Sequence, residues 1–170
     1  LIVPNSARRR LLLTTAAVGL GLLSYELWPS DERAISVLLN ELCAKLNETR
    51  DSTSLVQLQT ALDSVLLPNA SLHVSELELD AQGADEISTR ARLLLTSGVP
   101  LSFALSSVAV HLSGRLAQVD LDLIVTVRGS GEQTRDLRHT HVRLAKSGAS
   151  WRIEAVDIDP VAPSQPEARP

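Results

Sequence analysis

The sequence predicts an α+β fold: an N-terminal transmembrane helix, then a domain of about three helices packed on a curved antiparallel sheet. Three observations carry this. Apolar residues recur at helical spacing in three stretches ahead of Gly98. After Pro100 the period changes to two and stays there, with turn residues between the alternating runs. Residues 11–25 carry no charge and lie directly behind Arg8, Arg9 and Arg10. Helices grouped first and hairpin-connected strands last are the pattern of an α+β domain.

The chain divides into a basic N-terminus (1–10), an apolar segment (11–28), a body (29–158) and a tail (159–170) with four prolines, read as disordered. A bilayer core of ~30 Å needs about 20 helical residues, with roughly 17 as the lower limit. The apolar segment just meets that limit. A cleavable signal peptide would need small residues in an Ala-x-Ala-like pattern after the apolar run. Here the flank is Ser24-Tyr-Glu-Leu-Trp28. Tyr25 and Trp28 suit the headgroup zone, so the segment reads as an uncleaved signal anchor. The positive-inside rule keeps Arg8, Arg9 and Arg10 in the cytoplasm. This places the chain in the inner (cytoplasmic) membrane as a single-pass protein, its body on the periplasmic side. Ala16, Ala17, Gly19 and Gly21 would let another membrane helix approach closely.

In the body, Ser30 is a good N-cap, and Asp31 and Glu32 suit the positive end of a helix carrying Ile35, Leu38, Leu39, Leu42 and Leu46. Leu55, Leu58, Leu62 and Val65 predict a second helix ending before Pro68. Residues 71–79 alternate with a slip, which predicts a strand with a bulge or bend, and Asp80–Gly83 reads as a turn. Residues 84–96 predict a third helix, stopped by Gly98 and Pro100. Strands are predicted over 101–112, 116–128, 134–146 and 151–158. In the second of these, Val119, Leu121, Leu123, Val125 and Val127 share a core face. Gln118, Asp120, Asp122, Thr126 and Arg128 form the aqueous one.

Composition narrows the function classes. The chain has 170 residues, 16 basic and 20 acidic side chains, and a net charge of −4. That argues against nucleic-acid binding, whose phosphate contacts need a basic face. Four aromatic residues give no stacking platform. A single Cys excludes an internal disulfide and a Cys-rich zinc site. Cys43 falls near an apolar helix stripe and reads as a small hydrophobe. No phosphate loop, dinucleotide fingerprint or Gly-x-Ser-x-Gly is present, and no cofactor is expected. Asn47-Glu-Thr49 and Asn69-Ala-Ser71 match the N-glycosylation pattern, which has meaning only in a eukaryotic secretory chain.

The order of elements over 31–158 resembles the NTF2-like (cystatin-like cone) superfamily. Leu79-Asp-Ala-Gln-Gly83-Ala-Asp-Glu-Ile87 looks like that group's passage into its third helix, and Trp151-Arg-Ile-Glu-Ala-Val-Asp-Ile158 like its closing strand. The resemblance implies a bent sheet around a cavity, in a superfamily of isomerases, cyclases and non-catalytic interaction domains. Fold therefore leaves function open. An anchor followed by such a domain also resembles the layout of VirB8-like assembly factors, without their Asn-Pro-x-Gly element.

A catalyst of this kind would place His73, His111, Asp120, Asp122, His139 or His141 inside the cone as acid or base. His139 and His141 lie two apart on one strand and share a face, with Asp120 or Asp122 available as a third metal ligand. Arg143 on the same side opposes a cation. The preferred reading is a solvated polar face, with Arg138, Arg143, Asp120 and Asp122 pairing across strands, and no metal. Asp120 and Asp122 read as part of that exposed stripe. His73 and His111, each alone among apolar strand residues, read as structural. The few aromatics point to a cavity plugged by Leu and Val side chains. The expected function is a non-catalytic interaction or assembly subunit of a membrane protein complex. Its expected partners are other membrane-protein subunits and the lipid bilayer, with no nucleic acid. The alternative is an exported SnoaL-like or ketosteroid-isomerase-like enzyme, or a binder of a small apolar ligand.

Overall fold

The computed structural model describes residues 30–49, 52–128 and 133–161. The proposed anchor, with Arg8, Arg9, Arg10, Ala16, Ala17, Gly19, Gly21, Tyr25 and Trp28, lies outside the described residues, as does the tail from 162 onward. Among the described residues no helix is long and apolar enough to cross a membrane.

Helix α1 (Asp31–Glu48) starts where expected: the Ser30 hydroxyl accepts a hydrogen bond from the Arg33 N–H at 3.2 Å. Ile35, Leu39 and Cys43, spaced by four, form its buried stripe. Helix α2 (Ser52–Val65) buries Leu58 and Leu62 and passes directly into strand β1 (Leu66–Val74). A 3-10 turn (Ser75–Leu77) leads to β2 (Leu79–Gln82), then α3 (Ala84–Thr96). Four long strands follow: β3 (Leu101–Ser113), β4 (Leu116–Arg128), β5 (Gln133–Ser147) and β6 (Ser150–Pro160). One six-stranded sheet results, in the order β2-β1-β6-β5-β4-β3.

Several expectations are corrected. The sheet is mixed, because β1 runs parallel to β6. The slip within 71–79 is the 3-10 turn, where Glu78 takes the left-handed conformation. Asp80–Gln82, read as a turn, pair with β1 as strand. Only the glycine of that stretch turns: Gly83 has φ 89° and a Cβ there would lie 3.5 Å from the Pro68 carbonyl. The last strand runs on to Pro160, since Asp159 and Pro160 pair with His139 and Arg138.

The core lies between the helices and one face of the sheet. Ile35, Leu39, Leu58 and Leu62 meet Val119, Leu121, Val142, Leu144, Trp151 and Ile153 there. Two polar devices hold the helical layer. The Asp31 carboxylate accepts from Lys146 Nζ at 2.7 and 2.9 Å and from Trp151 Nε1 at 3.0 Å, pinning the start of α1 to the β5–β6 hairpin. At the other end of α1, the Asn47 amide donates to the Phe103 carbonyl and accepts from the Phe103 N–H, both at 2.7 Å. Phe103 lies on edge strand β3, so Asn47 supplies the partner that a seventh strand would. The buried Cys43 thiol also reaches this carbonyl, at 3.4 Å, and burial pushes its pKa up. Asn47 thus spends its side chain on the edge of the sheet.

Two stability predictions follow from this packing. Leu144→Ala, at a fully buried site, should cost about 2–5 kcal/mol in urea unfolding. Asn47→Ala leaves two backbone groups of β3 unpaired and should cost about 1–3 kcal/mol, with concentration-dependent association in sedimentation as the exposed edge finds other strands.

Candidate functional site

The open face of the sheet, opposite the helices, collects all four histidines. Two β-bulges complete it, one by bringing His111 to this face and the other by bringing two aspartates. In β3, Ser107 and Val108 together oppose Leu121, with Ser107 at φ 52°. Phe103 and Leu105 point to the core before the bulge, while His111 points away after it. In β6, Glu154 is an extra residue between the pairs Ile153–Leu144 and Ala155–Arg143. The parity changes there, so Asp157 and Asp159 also reach the open face.

The side chains form two rows across the strands. The first is His111 on β3, Asp120 on β4, His141 on β5, Asp157 on β6, His73 on β1 and Asp80 on β2. His141 Nδ1 is 2.5 Å from Asp120 Oδ1, and His111 Nε2 is 3.6 Å from Asp120 Oδ2. His73 Nδ1 is 2.6 Å from Asp80 Oδ1, and Asp157 is the register partner of both His141 and His73. The second row is Asp122, His139, Asp159 and Ser75. His139 Nδ1 is 3.0 Å from Asp122 Oδ1, and the Ser75 hydroxyl donates to Asp159. The His139 and His141 rings meet edge to face at 4.7 Å between centroids.

Hydrogen bonding sets the electrostatics. The bond to Asp80 raises the pKa of His73, helped by the charges of Asp157 and Asp159. The bond from His139, aided by Ser107, holds Asp122 below the ordinary carboxylate value.

The expected polar face is therefore present, with different partners. Asp120 and Asp122 pair with His141 and His139, not with arginines. Arg138 lies on the opposite face and pairs with Glu76 and Asp136. His73 and His111 are not isolated structural residues; both belong to the first row and both are well exposed. Thr126, expected in water, is buried. Asp80, Asp157, Asp159 and Ser75 were missed. The only signal for the two β6 carboxylates was their i, i+2 spacing, which the bulge disguised.

Inside the cone the picture is apolar. Among the described residues the buried polar side chains are Thr49, Ser88, Thr126 and Thr140, and none of the buried residues is a His or a carboxylate. A groove of about 680 Å³ opens between α1 and α2, lined by Leu38, Leu42, Val65 and Trp151, with Glu41, Lys45 and Glu48 as its ionisable groups.

This architecture matches solved structures. An NTF2-like protein with a cystatin-like fold from Novosphingobium aromaticivorans aligns with a TM-score of 0.62 at 19% identity, over 89% of this chain and 92% of that one. The body has the NTF2-like fold. A cystatin-like-fold protein from Caulobacter vibrioides aligns at 0.61 and 16% identity, over 76% of this chain and 89% of that one. The CaMKII hub of S. rosetta aligns at 0.63 and 14% identity, over 78% and 98%. No family model matches the sequence, and no curated protein does. At these identities the likeness concerns the NTF2-like fold alone.

A pH prediction comes from His73. Its native pKa is raised, so its pair with Asp80 stabilises the fold fully below the ordinary imidazole value of 6.5. That contribution is lost as pH rises through the native pKa. In an NMR titration the His73 ring should change protonation above the ordinary value, and Asp80→Asn should bring the midpoint down.

Proposed function

We propose that this chain is a non-catalytic interaction subunit of a membrane protein complex. In this reading residues 11–28 anchor it in the inner membrane, and the NTF2-like body docks partners on the periplasmic side through its open sheet face. The observation that carries the reading is the division of side chains between the two faces of the sheet. The helix-covered face is filled with aliphatic residues, Cys43 and Trp151, and among the described residues no histidine or carboxylate is buried beside them to serve as acid or base. The open face carries the charged rows, flanked by exposed Leu116 and Leu137. Apolar anchors beside polar groups are what a protein interface needs. One structural neighbour is by name a hub, so assembly has a precedent on this scaffold.

The experiment is cross-linking and co-purification of the full-length chain from membranes of its native host. The chain should stay with the membrane pellet through an alkaline wash and carry specific partner proteins. Leu116→Asp with Leu137→Asp should remove those partners while leaving the unfolding midpoint within a few degrees, because both side chains are already exposed. Recovery of the wild-type chain as a water-soluble monomer without partners would sink the proposal.

A further inference from the structure

We propose that Asp120, His139 and His141 bind a divalent transition-metal ion of the Zn²⁺ type, with His111 as a fourth ligand. Ligand atoms of the first three all lie within 4.8 Å of one another. His111 adds Nε2 at 3.6 Å from the far oxygen of Asp120. In a tetrahedral site with Zn–N of roughly 2.0–2.1 Å, neighbouring donors sit about 3.3 Å apart. The first three donors lie near that spacing, and His111 joins them through Asp120. The imidazoles and the Asp120 carboxylate are 40–68% exposed, so water surrounds much of each side chain. Their backbones belong to paired central and edge strands, a rigid base for a site.

The donor chemistry selects the ion. Three imidazoles and one carboxylate suit Zn²⁺ and its neighbours, whereas Ca²⁺ and Mg²⁺ prefer all-oxygen shells. Asp122 already holds His139 through Nδ1, which leaves Nε2 for the ion. That is the carboxylate–histidine arrangement that orients metal ligands elsewhere. The bound ion would take the place of the proton bridging Asp120 and His141. The sequence objection was Arg143, which does border the same depression of about 230 Å³. Against its single charge the two rows set Asp120, Asp122, Asp157 and Asp159. Strand pairing sets Asp120, one of the two carboxylates available as third ligand, beside His141, and the β3 bulge brings His111 to the same face.

The test is calorimetric titration of the full-length chain, carrying a histidine-free tag, with Zn²⁺ at neutral pH. One ion per chain is expected. Asp120→Asn, and His139→Ala combined with His141→Ala, should each weaken binding at least tenfold, and His111→Ala should weaken it less. His73→Ala, in the same row but away from the cluster, should bind as the wild type does. Circular dichroism should show all variants folded. In NMR, Zn²⁺ should shift the His139 and His141 ring signals and leave those of His73 in place. The proposal is overturned by no binding, by affinity surviving the double variant, or by equal loss in His73→Ala, which would mean diffuse attraction to the whole face.

Discussion

Two extra residues in the sheet decide which side chains meet. A strand alternates faces with a period of two, so one inserted residue reverses everything beyond it. Without the bulge at Ser107–Val108, His111 would share the face of Phe103 and Leu105, against α1. Were β6 to alternate regularly through Glu154, Asp157 and Asp159 would share the face of Ile153. Both insertions keep apolar residues on the core side as well: Val110 and Val156 pack against the core beyond their bulges. The same two irregularities therefore segregate the oily face from the charged one.

That segregation places the ionisable groups where they cost least. A buried imidazole or carboxylate would need full hydrogen bonding to offset desolvation. On the open face water screens the rows, and the histidine–aspartate contacts act more on local geometry than on stability. Stability comes from the other face, from Ile35, Leu58, Leu144 and Ile153, and from the polar pins at either end of α1. Asp31 fixes the helix to the β5–β6 hairpin, and Asn47 closes the β3 edge. An α1 held at both ends leaves the sheet one free face, and that face holds the unusual chemistry.

A domain closed inside and elaborated outside differs in kind from a cone with a reactive interior. The NTF2-like fold supports both designs, and only the disposition of particular side chains separates them. Here the four histidines and their aspartate partners lie across the sheet from the helices. The docking reading uses Leu116 and Leu137 at the margins of the rows, while the metal reading uses the row interior, so the two can stand or fall separately.

Local signals in the sequence determined most of the elements. The Ser30 cap with the Ile35 and Leu39 stripe of its helix, the third helix over 84–96, and the alternation of 116–128 were all legible because helix capping and side-chain periodicity are short-range effects. So was the sharing of a face by His139 and His141. Long-range pairing was not legible. Nothing local says that β1 lies parallel to β6, that Asp80–Gln82 are strand, or that Asn47 caps an edge strand 56 residues away. His73 looked solitary because Asp80 and Asp157 reach it only through the sheet, and His111 because a bulge carries no reliable sequence mark. The sequence by itself determined which residues prefer water. The tertiary structure decided which of them face one another, because register is set by pairing across strands and not along them.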